Sequence, residues 1–248
     1  MHKDIFVHRG DLMGAEHNEK VIVKLTEWRE DDKNPTGKVI RVLGKAGLHE
    51  VEIHSIMAEF GLPFEYPKEA DEEANAIPEK ISEKEIKARK DFRDVLTFTI
   101  DPVDAKDFDD AISYRELENG NLEIGVHIAD VTHYVKPKTA LEKEAFNRAT
   151  SVYLVDRTIP MLPERLSNGL CSLRPNEDKL TFACVFEMDK SAKVINHWIG
   201  RTIIHSNRRY AYEEAQECID TQSGDYFQEL TLLNDLAKKI RKQRFDKG

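Results

Sequence analysis

The sequence predicts an α+β chain: a small barrel or sandwich of short strands, a connecting stretch, and a larger region where strands and helices mix. Three observations carry this expectation. Up to about residue 60, short β-branched runs are broken by Gly14, by "NPTG" and by Gly44, the spacing of a small all-β unit. Residues 61–80, "GLPFEYPKEADEEANAIPEK", hold three prolines and an acidic run, the composition of a linker. From Phe92 onward, runs with alternating apolar residues are interleaved with runs of helical period. The predicted regions are 1–60, 61–91 and 92–248.

In the first region the predicted strands are "DIFVHRG", "EKVIVKLTEW" and "GKVIRVLG", and "HSIMAEFG" reads as a short helix ended by Gly61. After the linker, Ser82 and Glu85 have the spacing of a capping box that opens a charged surface helix. "VLTFTI" is a strand. "AISYRELENGNLEIGVHIADV" reads as a hairpin turned at Asn119-Gly120. Thr139 and Glu142 cap a helix that places Leu141, Ala145 and Ala149 on one face. "LTFACVFEMD" and "AKVINHWIGRTIIHS" are further strands. "YEEAQECID" and "YFQELTLLNDLAKKIRKQRF" are helices, the latter with Phe227, Leu230, Leu233, Ala237 and Ile240 along one stripe.

Composition sets limits. With 40% hydrophobic and 33% charged residues the chain is globular. A formal net charge of −9 argues against a bulk electrostatic grip on nucleic acid, although a local basic channel remains compatible with it. No stretch reaches the roughly 18 consecutive apolar residues of a membrane helix, and "MHKDIFVHRGD" has no apolar run of the secretory kind. Cys171, Cys184 and Cys218 are scattered and form no C-x-x-C pair, so reduced thiols of a cytoplasmic protein are expected rather than disulfides or a thiolate zinc site.

The stretch "TIDPVDAKDFDDAI" asks for a chemical explanation. Asp101, Asp104, Asp107, Asp109 and Asp110 lie between two apolar runs, and like charges packed this densely need a shared partner. Asp107 and Asp109 leave an extended backbone by one face while Phe108 anchors the other. Hard carboxylate oxygens without neighbouring His or Cys suit Mg²⁺ or Mn²⁺, and ions held so serve phosphoryl chemistry. A solvated acidic loop is the plain alternative. A calcium loop is not supported, because the expected Gly and Glu positions are missing, and an aspartyl-phosphate site is disfavoured by Ala111 where a hydroxyl is wanted.

These residues carry a resemblance. "TIDPVDAKDFDDA" resembles the catalytic signature of the RNB family of exoribonucleases, the ribonuclease II and ribonuclease R group, with wording nearer the R branch. "GVHIADVTHYV", "SVYLVDRTIPMLPERLSNGLCSLRPNEDKLTFAC" and "RRYAYEEA" follow in the family's order. "DIFVHRGDLMGAEHNEKVIVKLTEW" with "NPTGKVIRVLG" is similar to the cold-shock domain upstream of the catalytic domain. The resemblance covers nearly the whole chain. It implies a partial OB-type (cold-shock) barrel followed by an α+β catalytic region. It also implies a processive 3′-to-5′ hydrolase of single-stranded RNA that releases nucleoside 5′-monophosphates with Mg²⁺. The family's four motif aspartates map onto Asp101, Asp107, Asp109 and Asp110. Asp101 and Asp110 are implied metal ligands, Asp107 supports the ion site, and Asp109 is essential to the chemical step through a second ion.

Tyr153 matches the family's tyrosine that stacks at the RNA 3′ end, where an aromatic face holds any base. A core tyrosine is the plain reading of its β-run. His127 and His133 are expected to be structural or surface residues. Arg157, Arg165, Arg174, Arg208 and Arg209 form a candidate phosphate path, each more often a solvated charge. Compared with the family, the chain is expected to be a fragment. It begins at the barrel's third strand and stops before a catalytic arginine and a C-terminal RNA-binding barrel, which implies weak activity by itself. A cytoplasmic monomer that uses no membrane is expected. The competing reading, from another functional class, is an RNA-binding module with a vestigial metal cluster.

Overall fold

The computed structural model describes residues 4–28 and 33–247; Met1 and Gly248, the outer ends of the first and third predicted regions, lie outside them. The chain divides into two compact units, one of residues 1–66 with 153–159 and the other of residues 67–152 with 160–248.

In the first unit, β1 (Phe6–Val7), β2 (Glu19–Glu27) and β3 (Thr36–Lys45) form a sheet in the order β1-β3-β2, with β1 parallel and β2 antiparallel to β3. Helix α1 (His49–Glu59) starts before the predicted "HSIMAEFG" and buries Val51 and Met57. Gly61 follows it at φ +67°, the left-handed conformation that ends a helix at low cost for glycine.

The second unit opens with α2 (Lys68–Ala76), inside the stretch predicted as a linker. Three contacts order this acidic segment. Ala70 and Ala74 are buried. Glu73 accepts from the Ala140 and Leu141 amides at 3.1 and 2.8 Å, so its charge meets the positive end of another helix. Arg165 donates to the Ala74 and Ile77 carbonyls at the C-terminal end of α2, next to Glu73. Next come α3 (Glu83–Lys87), whose N-cap Ser82 accepts from the Glu85 amide, and β4 (Lys90–Phe92).

The body of this unit is a mixed sheet. β5 (Leu96–Asp101), β6 (Asp110–Glu116) and β7 (Leu122–Ala129) are antiparallel neighbours. The β6–β7 turn contains the predicted Asn119-Gly120, closed by Leu117 N–H on Asn121 O at 2.8 Å with Gly120 at φ +80°. After it come α4 (Val131–Tyr134) and α5 (Ala140–Arg148). Thr139 caps α5 as expected and Leu141 and Ala145 are buried, but Ala149 has φ +61° and lies beyond the helix end, exposed. β8 (Val152–Tyr153) and β9 (Thr158–Ile159) make a short ribbon. After a wide helical turn at Arg165–Leu170, β10 (Asp178–Met188), β11 (Val194–His205) and β12 (Arg208–Ala211) complete the sheet in the order β12-β5-β6-β7-β10-β11-β4.

One face of that sheet, with Ala111, Ala129, Ala183 and Val185, packs on Phe92, Phe108, Leu141, Leu166 and Leu173. On the other face, Ile124 and Phe186 are covered by α7 (Phe227–Asp246), and Phe98 and Tyr210 by α6 (Tyr212–Thr221) and α7. The buried stripe of α7 runs through Leu230 and Leu236, whereas Ala237 is exposed.

Two buried polar groups tie the middle of the sheet. His127 is fully buried between Ser113 Oγ, 2.9 Å from Nε2, and Thr202 Oγ1, 3.1 Å from Nδ1. Gly125 leaves it room, since a Cβ there would lie 2.4 Å from Ser113 Oγ and 2.5 Å from His127 Nε2. Burial pushes the His127 pKa down to about 4, so the ring is neutral. Arg89 donates to Asp130 Oδ2 at 2.7 Å and to the Thr181 and Thr202 carbonyls. Burial alone would raise the Asp130 pKa, but Arg89 and Thr132 hydrogen bonds outweigh it and lower the pKa overall.

Candidate active site

The aspartate loop connects β5 to β6. The strands pair only from Leu96↔Tyr114 to Phe98↔Ile112, then part, leaving Asp101 at the end of β5 and Asp110 at the start of β6. β12 runs parallel to β5 and reaches Ala211↔Asp101. Between the strands the backbone is irregular but held at several points. Phe108 is buried, its amide donates to Ser172 Oγ at 3.1 Å, and Ser172 Oγ donates to Lys106 O at 2.7 Å. The Leu173 amide donates to Phe108 O, and the Ala129 amide to Asp109 O, each at 2.9 Å. From β12, Arg209 donates to the carbonyls of Pro102 and Val103 and lies 5.4 Å from the Phe108 ring centroid.

The carboxylates are under electrostatic tension. Asp101 is half-buried, and its Oδ2 is buried without a hydrogen-bond partner, a costly arrangement for an ionised group. Its pKa is raised, first by desolvation and then by Asp110 and Asp107, against the opposing pull of Thr99 and Arg209. The Asp109 pKa is raised by desolvation, then by Asp107, Asp110 and Asp101. The structure therefore brings all four predicted carboxylates within electrostatic reach of each other. Among the described residues, however, no three His, Cys, Asp or Glu side chains are gathered closely enough to hold an ion. The donor chemistry fits a hard divalent cation, which would satisfy Asp101 Oδ2 and offset the mutual repulsion; the side chains do not form a finished coordination set. Asp104 is exposed.

Tyr153 belongs to the other compact unit and is 67% exposed, which removes the core-packing alternative. Each of the five arginines of the candidate phosphate path has a partner within the protein. Arg157 is engaged by Glu50 and Asp156, Arg165 by backbone carbonyls and Glu79, Arg174 by Glu177, Arg208 by Asp225, and Arg209 by the loop carbonyls. Sequence reasoning missed Ser172 as a loop anchor and the particular task of Arg209. Neither has a local signal, because their partners lie far away along the chain. Cys171, Cys184 and Cys218 are free thiols, and burial pushes Cys171 up to about 12.

Comparison with known proteins decides the family. A model of the RNB domain matches residues 89–248, and a cold shock domain model matches residues 1–67. The chain belongs to the RNB family. Among RNB relatives, ribonuclease R of Thermotoga maritima is 43% identical over 253 residues, covering 99% of this chain and 36% of that protein. Mycoplasma genitalium RNase R, solved in complex with double-stranded RNA, superposes with a TM-score of 0.91 at 26% identity over 100% of this chain and 45% of its own. Yeast Ssd1, a pseudonuclease, shares the fold with a TM-score of 0.75 at 20% identity, covering 92% of this chain and 29% of its own. The chain thus spans about a third of the curated ribonuclease R. The α+β class and the OB-type character of the N-terminal unit agree with these matches. No described helix is long and apolar enough to cross a membrane.

Proposed function

We propose that this chain carries the ion-binding part of a 3′-to-5′ exoribonuclease that processively hydrolyses single-stranded RNA to nucleoside 5′-monophosphates. One observation carries the reading: four carboxylates on a firmly pinned loop, one with a buried, unpartnered oxygen. Asp101, Asp107, Asp109 and Asp110 would hold Mg²⁺, with Mn²⁺ as a substitute. Such an ion supplies an activated water and stabilises a leaving oxygen. The chain's own residues prepare that site. Asp101 and Asp110 project from strand ends, Phe108 anchors the loop in the core, and Ser172 and Arg209 hold its backbone. Asp109 is assigned to the chemical step, with Asp107 supporting it. Tyr153 is assigned to stacking on the RNA 3′ end. RNA as the substrate is consistent with the Mycoplasma relative having been solved with RNA bound. In this reading, residues 1–60 are the partial RNA-binding barrel, 61–91 connect, and 92–248 are catalytic, in a cytoplasmic monomer.

The competing reading, an RNA-binding module with a vestigial cluster, is favoured by the ungathered carboxylates among the described residues. Titration calorimetry with Mg²⁺ and Mn²⁺, beside digestion of 5′-labelled single-stranded RNA, separates the two. Ion binding lost in Asp101→Asn supports the exoribonuclease. RNA binding with no detectable ion binding supports the module.

A further inference from the structure

The ribbon that carries Tyr153 is too small to hold itself. β8 and β9 contribute two residues each, and a lone two-stranded hairpin is marginally stable in water. Its turn closes with one backbone bond, Leu154 N–H to Arg157 O at 2.8 Å, and Val155 at the tip is fully exposed. The burial that fixes most hairpins is therefore absent at the tip, although Tyr153 precedes it immediately.

Charge supplies the missing support. Arg157 makes a fork on Glu50, with Nη1 donating to Oε2 at 3.0 Å and Nη2 to Oε1 at 2.8 Å. It also grips Asp156, with Nη2 donating to Oδ2 at 2.8 Å. Asp156 Oδ2 in turn lies 2.9 Å from His49 Nε2. Glu50 and His49 are in the first turn of α1, and all four residues belong to the first compact unit together with Tyr153. Single exposed ion pairs contribute little, whereas a bidentate guanidinium–carboxylate fork within a network fixes direction as well as distance. The network lowers the Glu50 and Asp156 pKa values, chiefly through hydrogen bonds from Arg157, so both remain ionised at neutral pH.

We infer that Arg157, Glu50, Asp156 and His49 are positioning residues for Tyr153: they fasten its hairpin to the first turn of α1 and so fix where the aromatic face meets the RNA 3′ end. This rests on the assignment of Tyr153 to stacking. It gives the cold-shock unit a role besides RNA binding, as the mount for a residue encoded far downstream in the RNB part of the sequence. It also gives Arg157, one residue of an apparent arginine series, a task within the protein.

The test is a double-mutant cycle on binding of short single-stranded RNA and on the length of the end products. Tyr153→Ala should weaken short-oligomer binding roughly 5- to 150-fold, the range expected for one lost base stack. Arg157→Ala and the milder Glu50→Gln should shift both readouts in the same direction, with Mg²⁺ affinity unchanged. In a Tyr153→Ala background neither should add a further effect. A purely structural role would lower the melting temperature without this non-additivity. Arg157→Ala and Glu50→Gln both leaving the readouts intact while Tyr153→Ala is defective would overturn the inference alone. Additive effects would overturn it as well. A silent Tyr153→Ala would overturn the stacking assignment and, with it, the inference.

Discussion

His127 gives the most quantitative prediction. Its ring is fully buried, both nitrogens face hydroxyls, and its pKa is pushed down to about 4 from an ordinary 6.5. The depressed value belongs to the folded state of a base. As pH falls below 6.5, the unfolded chain takes up a proton that the folded chain refuses until about pH 4. Stability is therefore fully present above pH 6.5 and is lost progressively down to about pH 4. Each pH unit in that window costs about 1.4 kcal/mol, so lowering the pH from 6.5 to 5 costs roughly 2 kcal/mol from this one group. His127→Gln keeps a donor and an acceptor in the same space but cannot titrate. Guanidinium unfolding of both proteins at pH 7.5 and pH 5 isolates the effect, because other titrating groups are common to the pair. The original protein should lose about 2 kcal/mol more than the variant over that interval. Parallel losses in the two proteins would show that His127 protonates in the folded state, and the buried-neutral assignment would be wrong.

Asp109→Asn should abolish hydrolysis while preserving or raising RNA affinity, since it removes negative charge beside phosphates; single-turnover hydrolysis and equilibrium binding in one buffer check this. Ser172→Ala strands the Phe108 amide and the Lys106 carbonyl. It should cost about 1–3 kcal/mol in denaturant unfolding and weaken Mg²⁺ binding in calorimetry. Arg89→Met removes the 2.7 Å partner of buried Asp130 and leaves it only Thr132 and the more distant Arg201; it should cost about 3–5 kcal/mol, with much of that recovered when Asp130→Leu is added, and a thermal melt of the single and double variants reads it.

Much of this molecule is legible in its sequence where the physics is local. Ser82 and Thr139 cap the helices they precede. Asn119-Gly120 turns the hairpin, and runs of β-branched and aromatic residues mark β10 and β11. The aspartate loop stands out because its charge density lies in one short stretch. Where partners are distant, the sequence misleads. Helix α2 looks like a linker because its buried face consists of two alanines, and its C-terminal half is held by Arg165 and by the start of α5. The α7 stripe runs through Leu236 and not Ala237 because Leu236 joins the cluster of Leu122, Ile124 and Met188, a partner set the sequence does not show. The carboxylates and carbonyls that meet the arginine series are likewise invisible to spacing. Tyr153 is recognisable as exposed only once its ribbon is seen to bury Ile159 and not Tyr153.

The supports of the aspartate loop also bear on the order in which the protein is made. Ser172 grips Phe108 from 64 residues downstream, and Arg209 grips Val103 from 106. Contacts of such separation form only after a long loop has closed. During synthesis the aspartates leave the ribosome well before either residue exists, and β5 still lacks its β12 neighbour. Until then the loop has only its nearer supports, such as the Ala129 amide on Asp109 O, to set against the repulsion among the carboxylates. The loop's long-range supports are thus completed late, when β12 (Arg208–Ala211) has been made and can pair with β5.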